Sequence, residues 1–323
     1  MQLVSVIMPV FEAGNWIKTS IKSILLQNYK NFELIIVDGG SQDGTIDIID
    51  KIKDDRIRLF KLDEKSFIKK LNYGIMQAKG DWVIRMDADD ISHSDRIYEQ
   101  MNFIANHPGT AFVGVLNGYI LNDTLLVRRK RDWRFKELTY QDFTENKMPC
   151  ADGACLFNRS MAIKVGLYDV EYEKETSLWY KLLDCGKGYA INNPLMFYRL
   201  HQDQMSLKQI DNDYDWFNLR KKYDPEGFKK LDIHQPKRKE ILRNKINRNE
   251  QILELTMAGK DRLNFIKSFI AILYLTRLNY NSIRRIILKL IRRETLKFWN
   301  WDNNKLPLEY KVFIPETNDR QGL

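Results

Sequence analysis

The chain has 323 residues, 44% of them hydrophobic and 29% charged; that is enough apolar side chain for a sizeable core and too much for a disordered chain. Its net charge of +9 is uneven: residues 216–323 hold 24 Lys and Arg against 12 Asp and Glu, and residues 1–215 carry the remaining net −3, which divides the chain into two parts of different character. Three cysteines, Cys150, Cys155 and Cys185, are too few and too irregularly spaced for a disulfide framework or a zinc site.

The first residues lack a basic n-region and a small-residue cleavage site, and no run of about 18 uncharged apolar residues follows. The expectation is a cytoplasmic protein with reduced thiols and no spanning helix. Residues 3–10 (LVSVIMPV) form a short β-branched run, read as a buried strand ended by Pro9. Ile17, Ile21, Ile24 and Leu25 repeat at helical spacing. A second buried strand is predicted at residues 32–37, ended by DGGSQDG. Helix signals at 45–53, a strand at 57–60, a helix at 66–78 and a strand at 81–86 complete an alternating pattern, which predicts an open, mostly parallel α/β sheet flanked by helices. Beyond residue 110 the pattern turns more antiparallel, with strands at 111–115 and 118–127, a strand–helix unit over 153–165 and a helix over 175–185. From residue 216 the chain reads as basic and helical.

Ligands of such sheets bind at the carboxyl ends of the strands, and two of these ends are acidic. Asp87-Ala88-Asp89-Asp90 follows the fourth strand. Two carboxylates one residue apart can turn towards one point and hold Mg²⁺ or Mn²⁺, which takes its remaining ligands from water and a diphosphate. The same residues would also suit an acidic turn capping the helix that starts near Asp95. Asp38-Gly39-Gly40-Ser41 supplies a carboxylate and small residues after the second strand, suited to a nucleobase or ribose, or simply to a tight turn before the next helix. No GxGxxG and no P-loop occurs.

Taken together, VSVIMPVFEAGNWIKTSIKSILLQNYKNFELIIVDGGSQDGT and, about thirty residues on, LNYGIMQAKGDWVIRMDADD resemble the nucleotide-sugar-binding half of glycosyltransferase family 2. The resemblance is strong over 3–105, moderate over 150–207, and fades after about 215. It implies a GT-A (Rossmann-like) fold, a nucleoside-diphosphate sugar donor with UDP-sugars first in order, a divalent metal (Mn²⁺ or Mg²⁺) and transfer with inversion. By position it implies that Pro9, Val10, Phe11 and Glu12 line the nucleobase, that Asp38 contacts base or ribose, that Asp87 and Ala88 lie by the ribose, and that Asp89 ligates the metal. Lys69 and Arg85 lie near enough in the motif to reach phosphates, but read more simply as solvated or fold-bracing cations.

The segment from Cys150 to Asp169 resembles the acceptor side of the same family, with Gly153 and Ala154 small enough for close approach of a sugar or for plain strand packing. Family members place Glu-Asp before a helix containing Leu-Trp, the Asp being the general base. Here those two positions hold Lys174 and Glu175. A Glu can do the same deprotonation, but its extra methylene moves the oxygen by about an ångström, enough to cost about 100-fold in rate without compensation. Glu175 would equally suit the first turn of a helix; Glu173 is the fallback base. Tyr198-Arg199-Leu200-His201 resembles the family's R-x-H, which implies His201 as a second metal ligand or a diphosphate contact. The Gln-x-x-Arg-Trp of processive members is absent, so transfer of one sugar is expected.

Residues 283–299 (IRRIILKLIRRETLKFW) place an apolar stripe opposite a basic one. That suits a helix lying on an anionic membrane surface, or a helical hairpin packed on the catalytic domain or a second copy. The expected organisation is a GT-A domain over 1–215 (nucleotide-sugar binding over 1–110, the acceptor and catalytic part over 111–215) and a basic α-helical C-terminal extension over 216–323, with 262–299 the membrane-facing segment of a peripheral protein. No nucleic-acid module is visible, so nucleic acid is not expected as a partner. The expected activity is transfer of one sugar to a saccharide or lipid-linked acceptor in surface polysaccharide or glycoconjugate synthesis. The competing expectations are a non-catalytic nucleotide-sugar-binding homologue or scaffold and, less well matched, a nucleotidyltransferase.

Overall fold

The computed structural model describes residues 1–121, 124–126, 133–145, 148–172, 175–201 and 212–230. Four strands, β1 (Val4–Val10), β2 (Phe32–Asp38), β3 (Ile57–Lys61) and β4 (Trp82–Arg85), run parallel in the order β3-β2-β1-β4. Every residue of β1, β2 and β4 is buried, as befits strands covered on both faces, and this is why they read as continuous rather than alternating apolar runs. Between the strands lie helices α1 (Ile17–Leu25), α2 (Thr45–Asp50) and α3 (Phe67–Gln77). Gly74 lets α3 lie close against the sheet: a Cβ there would stand 2.5 Å from Ile7 Cγ2. The chain moves outward from β1 through β2 to β3 and then returns to the other side of β1 as β4, which opens a crevice at the carboxyl ends of β1, β2 and β4.

The second half extends the same sheet. After β5 (Ile91–Ser92) and α4 (Arg96–Asn106) come β6 (Thr110–Leu121), β7 (Thr124–Leu126), β8 (Phe135–Leu138), α5 (Tyr140–Thr144), β9 (Cys155–Asn158), α6 (Arg159–Lys164), α7 (Thr176–Leu183) and β10 (Lys187–Leu200). The path continues β4-β9-β6-β10-β5. β9 is antiparallel to both its neighbours, as the turn in the sequence pattern suggests. β10 departs from that expectation by running parallel to β6. Its register shifts around Pro194, a residue with no N–H for the ladder; β8 pairs before the kink and β5 after it. The expected strands at 111–115 and 118–127 are one long strand, β6, followed by the short β7. Pro9 does not end β1, which continues to Val10 opposite Asp38; Pro9 lies beyond the stretch paired with β4.

Two further helices, α8 (Asn212–Tyr223) and α9 (Pro225–Lys230), follow. The segment 262–299, expected at a membrane, lies outside the described residues. Among the described residues no helix is long and apolar enough to cross a membrane.

Candidate active site

The side expected to meet the nucleobase is built by sewing two loops together. The β1–α1 loop carries Glu12 in the left-handed region (φ 50°), and its amide donates to Ser41 Oγ at 2.8 Å. Ala13 N donates to Thr45 Oγ1 at 2.9 Å and Gly14 N to Asp43 Oδ2 at 2.9 Å. Asp38 is buried at the end of β2: its Oδ2 accepts from Gly40 N (2.9 Å) and Ser41 N (3.1 Å), and its Oδ1 from Ser41 Oγ (2.5 Å). The DGGS loop is therefore an ordered shelf held by its own carboxylate. Pro9 and Val10 are buried beneath it, while Phe11 and Glu12 are exposed at its rim.

A residue missed in the sequence completes this side. Lys70, not Lys69, points inward: it is 3% exposed, donates Nζ–H to Val10 O at 3.1 Å and lies 5.5 Å from the centre of the Phe11 ring. Gly39 covers it, since a Cβ there would meet Lys70 Nζ at 2.9 Å and Glu64 O at 2.5 Å. Lys69 instead pairs with Glu64 at 3.1 Å on the surface. Helical phase was the available signal, because Lys70 shares a stripe with Phe67 and Gly74 whereas Lys69 faces away.

At the end of β4, Arg85 forms a two-pronged contact with Asp87, Nε to Oδ1 and Nη2 to Oδ2, both at 3.0 Å. Its Nη1 lies 2.9 Å from Glu175 Oε1, and its guanidinium sits 4.6 Å from the centre of the Phe67 ring. Burial disfavours the cation, but the Asp87 and Glu175 charges outweigh this and drive its pKa up. Burial pushes the Asp87 carboxyl up, against the pull of Arg85. Glu175 stands at the start of α7 without capping it through its side chain, and its carboxylate is turned to Arg85.

Gly153 packs behind this pair, where an added Cβ would stand 2.9 Å from Asp87 Oδ2. Ala154 is fully buried, and its carbonyl accepts from Gln100 Nε2 at 3.1 Å. Asp152 accepts a hydrogen bond from Trp179 Nε1; burial, and then the Glu175 charge, raise its pKa to about 6. Arg96, fully buried, joins the two segments by donating Nη2–H to Arg85 O (3.0 Å) and Gly153 O (2.8 Å).

Asp89 faces the opposite wall, where its Oδ2 stands 3.0 Å from His201 Nε2. Arg199 braces the acidic turn: its Nε donates to Asp89 O (2.8 Å), its amide to Asp90 Oδ1 (2.9 Å), and its guanidinium lies 4.8 Å from the centre of the Trp16 ring. The Trp16 and His201 rings are 5.2 Å apart. Among the described residues no group of three or more His, Cys, Asp and Glu side chains converges as a metal cage. The Asp89–His201 pair nonetheless fits a cation that keeps most of its ligands for water and phosphate. One carboxylate oxygen and one imidazole nitrogen suit Mn²⁺ or Mg²⁺, and two adjacent ligands of an octahedron with bonds of about 2.1 Å stand about 3 Å apart.

Of the expected site residues, Pro9–Glu12 and Asp38 form the shelf, to which Lys70 is added; Asp87, Glu175 and Gly153 gather around Arg85; and Asp89 pairs with His201. Val10, Ala88 and Ala154 are buried in the hydrophobic core.

A sequence model described as "Glycosyl transferase family 2" matches residues 5–166. An uncharacterized glycosyltransferase of Rickettsia typhi is 32% identical over 232 residues, covering 68% of this chain and 72% of its own. TuaG of Bacillus subtilis, named as a teichuronic acid biosynthesis glycosyltransferase, is 30% identical over 212 residues, covering 63% of this chain and 81% of its own. Among solved structures, S. aureus TarS in complex with UDP-GlcNAc superposes with a TM-score of 0.57 at 14% identity, over 88% of this chain and 92% of that one, a likeness of fold. With a GT-A sheet, the family's sequence pattern over half the chain and relatives of this similarity, the chain belongs to glycosyltransferase family 2.

Proposed function

We infer that the protein transfers one sugar, with inversion, from a nucleoside-diphosphate sugar to a saccharide or lipid-linked acceptor in surface polysaccharide synthesis. What supports this reading is that Arg85 links Asp87 to Glu175 and that Asp89 pairs with His201 beside the carboxyl ends of β1, β2 and β4. The shelf of residues 9–12 and 38–41 receives the base and ribose, and Asp87 receives the ribose hydroxyls. The UDP-GlcNAc bound by TarS puts a UDP-sugar first among donors, and the name of TuaG supports a cell-surface glycan as product.

Asp89 and His201 would hold a divalent cation, which when bound draws off charge developing on the diphosphate. Glu175 takes the proton of the acceptor hydroxyl as that oxygen bonds to the anomeric carbon from the face opposite the leaving group. The bond from that carbon to the diphosphate oxygen breaks, and its electron pair leaves with the nucleoside diphosphate. Arg85 Nη1 stands 2.9 Å from Glu175 Oε1 and holds that carboxylate in place. The absence of a side chain on Gly153 leaves room for Asp87, whose Oδ2 would stand 2.9 Å from a Cβ there.

The test is release of nucleoside diphosphate from a panel of UDP-, GDP- and dTDP-sugars with Mn²⁺ or Mg²⁺. One donor is expected to turn over, with the rate lost in Asp89→Ala and reduced about 100-fold or more in Glu175→Gln. The Lys174-Glu175 departure favours the second reading, a homologue that binds donor without transferring it. Binding with no turnover in the presence of any acceptor would select that reading instead.

A further inference from the structure

We propose that Arg85 is a positioning residue that ties the donor-side carboxylate Asp87 to the acceptor-side carboxylate Glu175, and that this tie is what lets a glutamate serve as the base. The proposal rests on the donor-and-base reading given above and adds to it a residue that reads in the sequence more simply as a solvated or bracing cation than as a phosphate contact.

The two buried arginines of the site differ in what they hold. Arg96 spends its guanidinium on the carbonyls of Arg85 and Gly153, on Gln100 Oε1 and on Met86 Sδ; these contacts brace the fold. Among the described residues, the polar partners of the Arg85 guanidinium are both site carboxylates, two prongs on Asp87 at 3.0 Å and Nη1 at 2.9 Å from Glu175, while the Phe67 ring fills one face at 4.6 Å. Only 6% of the Arg85 side chain is exposed, so neither acid is held by a solvated, mobile cation. The planar fork fixes directions that an ammonium cannot.

Glu175 depends on this contact. Its side chain makes no bond to the start of α7, and its Oε1 lies 2.9 Å from Arg85 Nη1, an ion pair without hydrogen-bond geometry. A glutamate has one more rotatable bond than an aspartate, and anchoring one oxygen removes that freedom. Because the same cation grips Asp87, a donor that displaces Asp87 also moves the base. Placement errors of about 1 Å in such groups cost about 100-fold.

Three variants test this with purified full-length protein and the donor that wild type turns over. Glu175→Asp withdraws the carboxylate from Arg85 by one methylene. It is expected to lower kcat at least tenfold with donor KM and nucleotide affinity unchanged, even though relatives use an aspartate as base. Arg85→Lys keeps the charge and loses the fork; it is expected to lower kcat about 100-fold and raise donor KM. In the Glu175→Gln background Arg85→Lys is expected to leave kcat unchanged, because the base it positions is already gone. Full activity in Glu175→Asp, or additive penalties in the double variant, would overturn the proposal. Should Arg85→Lys fail to fold, Glu175→Asp decides alone. Absence of turnover in wild type with every donor and acceptor would instead overturn the glycosyltransfer reading beneath it.

Discussion

Lys70 and Gly153 are the residues at which small changes should be felt most sharply. A methyl group on Gly153 would stand 2.9 Å from Asp87 Oδ2 and 3.4 Å from Met196 Cε. Asp87 cannot yield without breaking its fork with Arg85, so Gly153→Ala should raise donor KM about tenfold with little change in melting temperature; steady-state kinetics and a thermal melt check this. Lys70→Met keeps most of the buried stem but removes the donor to Val10 O. Loss of a charge-assisted bond of roughly 1.5 kcal/mol should loosen the β1–α1 loop and weaken nucleotide affinity about tenfold, measurable by calorimetry. These residues also mark where the sequence was readable. Asp87, Asp89 and Asp38 follow strand ends and could be found from order and spacing. Lys70 could be separated from Lys69 only by helical phase. The grip of Arg85 on Glu175, ninety residues away in the chain, has no local signature at all.

At the scale of elements, α8 shows how the second part of the chain begins. Leu219 is fully buried, and Tyr223 stacks on Tyr180 of α7 with ring centres 5.6 Å apart. Asp169 clamps the two helices, accepting from Lys181 Nζ of α7 at 2.8 Å, from Lys222 Nζ of α8 at 3.0 Å, and from the Tyr223 hydroxyl. Burial works against the Asp169 carboxylate, but the bonds from Lys181, Tyr223 and Lys222 outweigh it and hold its pKa below the ordinary value. The folded state then binds this proton less readily than the unfolded one. Its contribution is complete above the unfolded pKa of about 3.9 and is lost as pH falls through the folded value. Asp169→Asn should therefore cost about 2 kcal/mol at neutral pH and lose less than wild type on acidification below about pH 4, as read from urea melts. The alternating strands and helices before residue 90 were legible because each strand is an uninterrupted apolar run. β10 was not, since Asn192-Asn193-Pro194 reads as a loop in isolation. Pairing on both sides, with β6 and with β8 or β5, overrides that local preference.

Across the whole molecule, the crevice draws on segments from residue 9 to residue 201, and its function follows from their convergence rather than from any one motif. The slightly acidic part carries the site, while the basic excess lies in residues 216–323; a role for 262–299 at an anionic membrane remains a proposal, which vesicle co-sedimentation against neutral and anionic lipids would test, with binding expected only to the anionic ones. The central claim is that the crevice between β1, β2 and β4 is a nucleotide-sugar site completed by Asp89 and His201. Calorimetric titration of UDP, GDP and dTDP into wild type and Asp89→Ala, with Mn²⁺ and then with a chelator, tests it most directly. Saturable binding of one nucleotide, UDP first, is expected, weakening at least tenfold on chelation and equally in Asp89→Ala. Binding of none of the three, or binding indifferent to both the cation and Asp89, would contradict it.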